Sequence, residues 1–253
     1  MKERKMKFRR IGILTLFVFL LCLSMFGQDA AALISQGDDI LNTMTDMETA
    51  RKALQLYKDA AAQMDNKYDA DWRISQVLYY IGLHTQDKKG KKSIFSEAVE
   101  YAQEAADLEP EKPEGHYWLG VNHGKVGEVR GVLKSLFLVK PIKNAMNKVI
   151  ELDRSYEDGG PDRVLGRVYF KLPGFAGGSS TKSLEHLEKS KEYGPDDPVT
   201  LFYLAETLLK KKMKDEARIA LETIINMPDD PRWVKSLTQS KIDAQQILDK
   251  KFK

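Results

Sequence analysis

Residues 198–231, PVTLFYLAETLLKKKMKDEARIALETIINMPDDP, decide the fold. Leu201, Leu204, Ala205, Leu208 and Leu209 recur at the spacing that gathers apolar side chains on one face of a helix. Ala217, Leu221 and Ile224 repeat that spacing in a second helix, and Pro228 closes it. Small side chains at Ala205 and Ala217 let the two antiparallel helices approach closely, while Leu221 and Ile224 are left to fill a seam with the next pair. Such a hairpin cannot cover its own apolar faces and needs neighbours of the same kind on either side.

Those neighbours are present. Leu165-Gly166, Tyr169, Leu187, Ser190 and Pro195 form a second copy, and Leu119-Gly120, Met146, Val149 and Leu152 a third. Weaker copies run through Ile74, Leu78, Ala98, Ala105 and Pro110, and through Ala53, Tyr57 and Ala60. Pro110 precedes Leu119 by the same interval as Pro195 precedes Leu204, as stacking of equal units requires. The pattern resembles the tetratricopeptide repeat. It predicts an all-α, tetratricopeptide-like solenoid of helical hairpins over 28–253, with about five repeats and a C-terminal capping helix from Val234 to Lys250 that starts beside Trp233. Breakers at Asp65-Asn66, Lys89-Gly90, Pro110 to Pro113, Gly159-Gly160-Pro161, Pro173-Gly174, Pro195 to Pro198 and Pro228 to Pro231 divide the chain into roughly eleven helices. Thr45-Asp46-Met47-Glu48 has a capping-box arrangement at a helix start, and Ser179 or Ser180 is expected to cap the helix that contains Leu184.

The whole chain has 253 residues, 42% of them apolar and 30% charged, which excludes disorder and collagen-like structure. Its formal charge is +3, but residues 1–27 hold six basic residues against one acidic, so the remainder carries 34 basic and 36 acidic residues. That balance gives no overall drive toward nucleic acid. The basic start is followed by a largely apolar run, Ile11 to Phe26, then Gly27 and Gln28. This reads as a signal peptide over 1–27 and predicts a periplasmic or secreted protein; the alternative is a retained N-terminal helix that anchors an assembly factor at the inner membrane. Cys22, the sole cysteine, lies inside the run after Leu21, where a lipoprotein site calls for a small residue. Cleavage after Gly27 leaves no thiol for a disulfide, a nucleophile or a zinc site.

The stretch Asp162 to Gly178 followed by Ser183-Leu184-Glu185-His186-Leu187 resembles the exported repeat proteins grouped with the T component of TRAP transporters. That resemblance implies a periplasmic, all-helical protein that assists uptake of small organic acids through a periplasmic solute-binding protein. The segment 113–153, with His116-Tyr117-Trp118-Leu119-Gly120 and Lys143-Asn144-Ala145, is similar to the regulators of microtubule dynamics, which share the repeat architecture.

No motif calls for catalysis or a cofactor. The run Pro173 to Ser180 lacks the Gly-Lys-Ser/Thr ending of a phosphate loop and reads as a lengthened turn. His116 and His123 are too far apart for a helical metal pair, and His84 and His186 show no convincing partner. Lys88 to Lys92 reads as a solvated cationic loop, and Leu133 to Val139 as an apolar insertion packed over the solenoid.

The candidate site is the inner groove, because the first helix of each hairpin lines the concave side of such a stack. Counting from the Leu-small pair brings Trp72, Tyr117, Arg163 and Phe202 to one inward offset and Gln76, Val121, Arg167 and Glu206 to the next. A turn further lie Tyr79, Gly124, Phe170 and Leu209, then Tyr80, Lys125, Lys171 and Lys210. Arg163 and Arg167, one turn apart, predict a fork for a carboxylate, with Lys171 and Lys210 adding charge and Tyr117, Phe170 and Phe202 forming apolar walls. The expected role is a non-enzymatic scaffold that binds a protein partner or an acidic ligand, an organic acid among them.

Overall fold

The computed structural model describes residues 29–43, 46–233 and 236–252. The predicted signal peptide, Cys22, Gln28, Thr45 and Val234 lie outside them. Eleven α-helices and no strand occur among the described residues: α1 (Ala30–Thr43), α2 (Met47–Ala61), α3 (Tyr68–His84), α4 (Lys88–Leu108), α5 (Pro113–Arg130), α6 (Val139–Asp153), α7 (Tyr156–Lys171), α8 (Ser180–Tyr193), α9 (Pro198–Lys210), α10 (Lys214–Asn226) and α11 (Leu237–Lys251). None of these is long and apolar enough to cross a membrane.

The helices pack as five consecutive hairpins, α1/α2 to α9/α10, with α11 laid against the last. Close approach inside a hairpin follows from the small residue after each Leu. A Cβ on Gly120 would lie 2.3 Å from Cε of the fully buried Met146, and one on Gly166 would lie 2.6 Å from Cγ of Leu187. In the second hairpin Ser75 takes this place and donates its hydroxyl to the carbonyl of Ala98 at 2.8 Å. Four apolar clusters follow one another along the stack among the described residues, the last two within the fourth and fifth hairpins. Tyr57 and Ile74 belong to the first, Phe95 and Met146 to the second, and Leu187, Leu221 and Ile224 to the last hairpins. Each of these buried side chains stabilises the fold by about 1.5–3 kcal/mol.

Extra residues enter the hairpins in three ways. In the second they lengthen α3 and α4 to 17 and 21 residues. In the third they form a 3-10 helix, Val132–Leu138, and in the fourth a short 3-10 turn, Gly174–Ala176. The break at Gly159-Gly160-Pro161 is a left-handed turn through Glu157, Asp158 and Gly159, after which Pro161 stands in the first turn of the helix proper. Gly159 has φ 74° and leaves no room for a Cβ, which would lie 2.7 Å from the Ser190 carbonyl oxygen.

Several local expectations need correction. Lys88 to Lys92 is the start of α4 and not a loop, because Asp87 caps the helix by accepting the Gly90 N–H at 2.6 Å. The break therefore falls before Asp87. Asp46 is the N-cap of α2, accepting the Thr49 N–H at 2.8 Å. Ser179 caps α8. The capping helix begins at Leu237 and follows a 3-10 turn, Pro231–Trp233. Of the Leu133–Val139 insertion only Leu138 among the large apolar side chains is buried; Leu133 and Phe137 face solvent.

Candidate functional site

The hairpins are stacked in phase. Each first helix touches the first helix of the next hairpin, so α3, α5, α7 and α9 form a continuous sheet of helices, while the second helices show no comparable contact with one another. This makes the α3–α5–α7–α9 surface the inner wall of the solenoid.

Charged and aromatic side chains of all four helices meet there. Lys125 on α5 donates to Glu128 at 3.0 Å and lies 5.8 Å from the ring centre of Tyr79 on α3. Burial alone would lower the Lys125 pKa, but Tyr79, Tyr203 on α9 and Glu128 outweigh it and hold the ammonium above its ordinary value. Burial would raise Glu128, and Lys125, Arg167 and Lys171 overcome that and keep its carboxyl ionised. Arg167 on α7 donates to Glu206 on α9 at 2.5 Å, and its guanidinium lies 4.1 Å from the Tyr203 ring centre and 5.2 Å from that of Phe170. Burial and the neighbouring Arg167 lower the Lys171 pKa, with Glu206 and Glu128 opposing. Lys210 reaches across from α9 to donate to the Phe170 carbonyl at 3.0 Å and sits over that ring at 4.7 Å.

Below this layer Arg163 is half-buried. It donates to Asp197 at 2.6 Å and to the Tyr117 hydroxyl at 3.0 Å. Asp197 also caps α9, accepting the N–H groups of Val199 and Thr200 at 3.1 Å each and the Thr200 hydroxyl at 2.5 Å. One carboxylate thus joins α7 to the start of α9, and Tyr117 extends the link to α5.

The predicted fork is therefore not open. Arg163 and Arg167 do stand one turn apart, but each already holds a carboxylate of this chain, so the pair does not present two free guanidinium groups. Two signals pointed to this: Glu206 occupies an inward offset, and Asp197-Pro198 is a helix-start dipeptide that brings an acid to the mouth of α9. Tyr117, Lys125, Arg167, Phe170, Lys171 and Lys210 are brought together on or just beneath the wall. Trp72 is half-buried beside them, its indole 4.1 Å from the Arg73 guanidinium. Tyr80 is not there: it packs into the core of the first two hairpins with its ring 4.2 Å from His84, because one offset further turns it off the inner face. Phe202 packs against the α9–α11 core. Glu128, Tyr203 and Asp197 complete the site and were not among the predicted residues.

The histidines differ in their surroundings. His186, expected to stand alone, is bonded through Nδ1 to the fully buried Asp162 at 2.7 Å and stacks on Tyr169 with ring centres 5.5 Å apart. Arg154 holds the same carboxylate with two donors at 2.7 and 3.1 Å. Burial would raise Asp162, but His186 and Arg154 outweigh it and depress its pKa. The triad ties α6, α7 and α8 together. His116 contacts the Pro110 carbonyl through Nε2 at 2.9 Å, His84 contacts the Tyr80 carbonyl through Nδ1 at 2.9 Å, and burial lowers His123. Among the described residues no group of His, Cys, Asp and Glu is arranged to hold a metal ion.

Comparison with known proteins places these features. Residues 33–159 match the family described as Regulator of microtubule dynamics protein 1-3. The chain is 22% identical over 238 residues to Regulator of microtubule dynamics protein 1 of Bos taurus, covering 87% of this chain and 73% of that protein. The crystal structure of a thermophilic TPR protein of Thermus thermophilus superposes with a TM-score of 0.65 at 14% identity, covering 87% of this chain and 98% of the other. The architecture is an all-α tetratricopeptide-type solenoid.

Proposed function

The chain belongs to the Regulator of microtubule dynamics protein 1-3 family, and from that premise we propose that it is a non-enzymatic interaction scaffold whose inner wall binds an acidic, partly apolar segment of a partner protein. One observation carries this reading. The wall and the layer under it hold five cations, Lys125, Arg163, Arg167, Lys171 and Lys210, against three carboxylates, Glu128, Asp197 and Glu206, and Lys171 has no ion pair among the described residues. An incoming carboxylate gains from Lys171 without displacing a bond of the protein, while Tyr79, Phe170 and Tyr203 supply apolar contact. The pre-formed pairs fix the arginine and lysine side chains before binding, which reduces the ordering that association must impose.

The finer reading belongs to the same proposal: an exported scaffold, in which the carboxylate is that of an organic acid delivered by a solute-binding protein. It rests on the resemblance of Asp162 to Gly178 and Ser183 to Leu187 to the transporter-associated repeat proteins. The two sources of carboxylate are separated by one titration. A fluorescent peptide of alternating glutamate and leucine is expected to bind the full chain and to lose about tenfold in affinity in Lys171→Glu. Succinate that displaces the peptide at comparable concentration supports the organic-acid form; displacement only by longer acidic peptides supports the protein-partner form. Equal peptide affinity in the wild type and in Lys171→Glu overturns both.

A further inference from the structure

A second surface lies away from this wall, on the edge formed by the turns inside the third and fourth hairpins. Four large apolar side chains among the described residues are more than half exposed, and three of them are here: Leu133 at 67%, Phe137 at 59% and Phe175 at 82%. Leu133 and Phe137 stand on the 3-10 helix Val132–Leu138 and Phe175 on the turn Gly174–Ala176. Both turns border one shallow depression of about 560 Å³, lined by Leu136, Val139, Lys140, Lys143 and Ala176.

The mount is firm. Ser135 donates its hydroxyl to the carbonyls of Gly127 and Gly131 at 3.1 and 2.9 Å, and Leu138 is buried, so Leu133 and Phe137 are held outward by a fixed turn. Gly178 donates its backbone N–H to the Pro173 carbonyl at 3.0 Å and closes the Phe175 turn. No packing need of this chain explains why three such side chains point to solvent together.

The charge along the segments that carry them has one sign. Between Glu128 and Glu151 the chain carries Arg130, Lys134, Lys140, Lys143 and Lys148 and no acidic residue, and between Asp162 and Glu185 it again carries cations only. Lys148 pairs with Glu111, but Arg130, Lys134, Lys140, Lys143 and Lys182 make no ion pair among the described residues; Arg130 lies over the Phe137 ring at 5.2 Å, and Lys143 and Lys182 lie over Tyr169 at 4.2 and 5.6 Å.

We propose that this edge docks on an anionic lipid bilayer, with Leu133, Phe137 and Phe175 entering the boundary between headgroups and acyl chains and the unpaired cations meeting the lipid charge. Apolar tips on two separate short turns, ringed by long cationic side chains, suit a planar and fluid partner. A peptide ligand would instead call for a deep continuous groove, and the depression that the two turns border is shallow. Phenylalanine and leucine side chains gain by burial at the headgroup–acyl boundary, and each lysine near an anionic surface is worth about fivefold in affinity.

The test uses the full chain and a local read-out, so that attachment through any other segment cannot imitate it. Backbone hydrogen exchange is followed by mass spectrometry with vesicles of phosphatidylcholine alone and with vesicles containing about one-third phosphatidylserine. Slower exchange is expected in residues 131–138 and 173–178 with the anionic vesicles only. That protection should vanish in Phe137→Ser/Phe175→Ser, whose exposed positions leave the fold intact, and the apparent affinity should fall about twentyfold in Lys134→Ala/Lys140→Ala. The proposal is overturned if anionic vesicles leave these segments unprotected, if neutral vesicles protect them equally, or if the double Ser variant keeps the protection. Protection by polyglutamate and not by vesicles overturns it in favour of an acidic protein partner.

Discussion

Replacing Arg163 by Met tests whether that residue serves the fold or the ligand. The substitution keeps the aliphatic reach and removes the guanidinium, leaving the Asp197 carboxylate, 2% exposed, without its cation and the Tyr117 hydroxyl without its donor. Breaking a buried ion pair by deleting one partner costs about 3–5 kcal/mol. Asp197 keeps its bonds to Val199 and Thr200, which places the expected loss at the low end, about 3 kcal/mol. For a domain of this size that corresponds to a melting point lower by about 6–12 °C. Thermal and urea unfolding followed by circular dichroism measure it, and anisotropy of the acidic peptide, taken well below the transition, measures binding. The double variant Arg163→Met/Asp197→Asn removes the stranded charge as well and should lose less than the sum of the two single changes. The reasoning is refuted if Arg163→Met unfolds within about 0.5 kcal/mol of the wild type while peptide binding is lost, because the guanidinium would then face the ligand.

Two further predictions concern the stack itself. Asp71 is buried with neither carboxylate oxygen hydrogen-bonded, and burial, reinforced by Glu104 and opposed by Lys67, pushes its pKa up to about 7. The folded chain keeps a proton that the unfolded chain has released, so this group makes stability fall as pH rises from about 4 to 7, with the loss complete above that range. Asp71→Asn should flatten the slope and gain about 1–3 kcal/mol over the wild type at a pH above 7, read from urea midpoints; a steeper slope in the variant would show the assignment wrong. Gly115 at the start of α5 meets the backbone of α4, where a Cβ would lie 2.5 Å from the Ala106 nitrogen. Backbone cannot yield as a side chain can, so Gly115→Ala should cost about 2 kcal/mol, whereas a gain in melting temperature, the ordinary result for Gly→Ala in a helix, would contradict the packing.

The register of the hairpins was legible because packing leaves a periodic mark. Leu119-Gly120, Leu165-Gly166 and Leu204-Ala205 recur wherever two helices touch, and the structure puts Met146 and Leu187 against those glycines. The same register located most of the inner wall. It failed at Tyr80, where one residue of drift along a helix moves the side chain about 100° around the axis and into the core. The ion pairs were hidden for another reason. Arg163 and Asp197 are 34 residues apart and Arg167 and Glu206 are 39 apart, and periodicity ranks faces without saying which opposite charges will meet across them. His186 was missed in the same way, since its partner Asp162 lies in the preceding helix. Lys88 to Lys92 misled because a glycine among lysines reads as a break, while the cap that starts the helix is the single carboxylate of Asp87.

In-phase stacking makes one demand that no other arrangement of these helices shares: Arg167 on α7 and Glu206 on α9 must feel each other directly. Their side chains are 17% and 24% exposed and 2.5 Å apart. A double-mutant cycle of Arg167→Met, Glu206→Gln and the pair, scored by urea unfolding, should return a coupling of about 1–2 kcal/mol. Additive losses, with coupling indistinguishable from zero, would place the two helices out of phase and remove the shared inner wall.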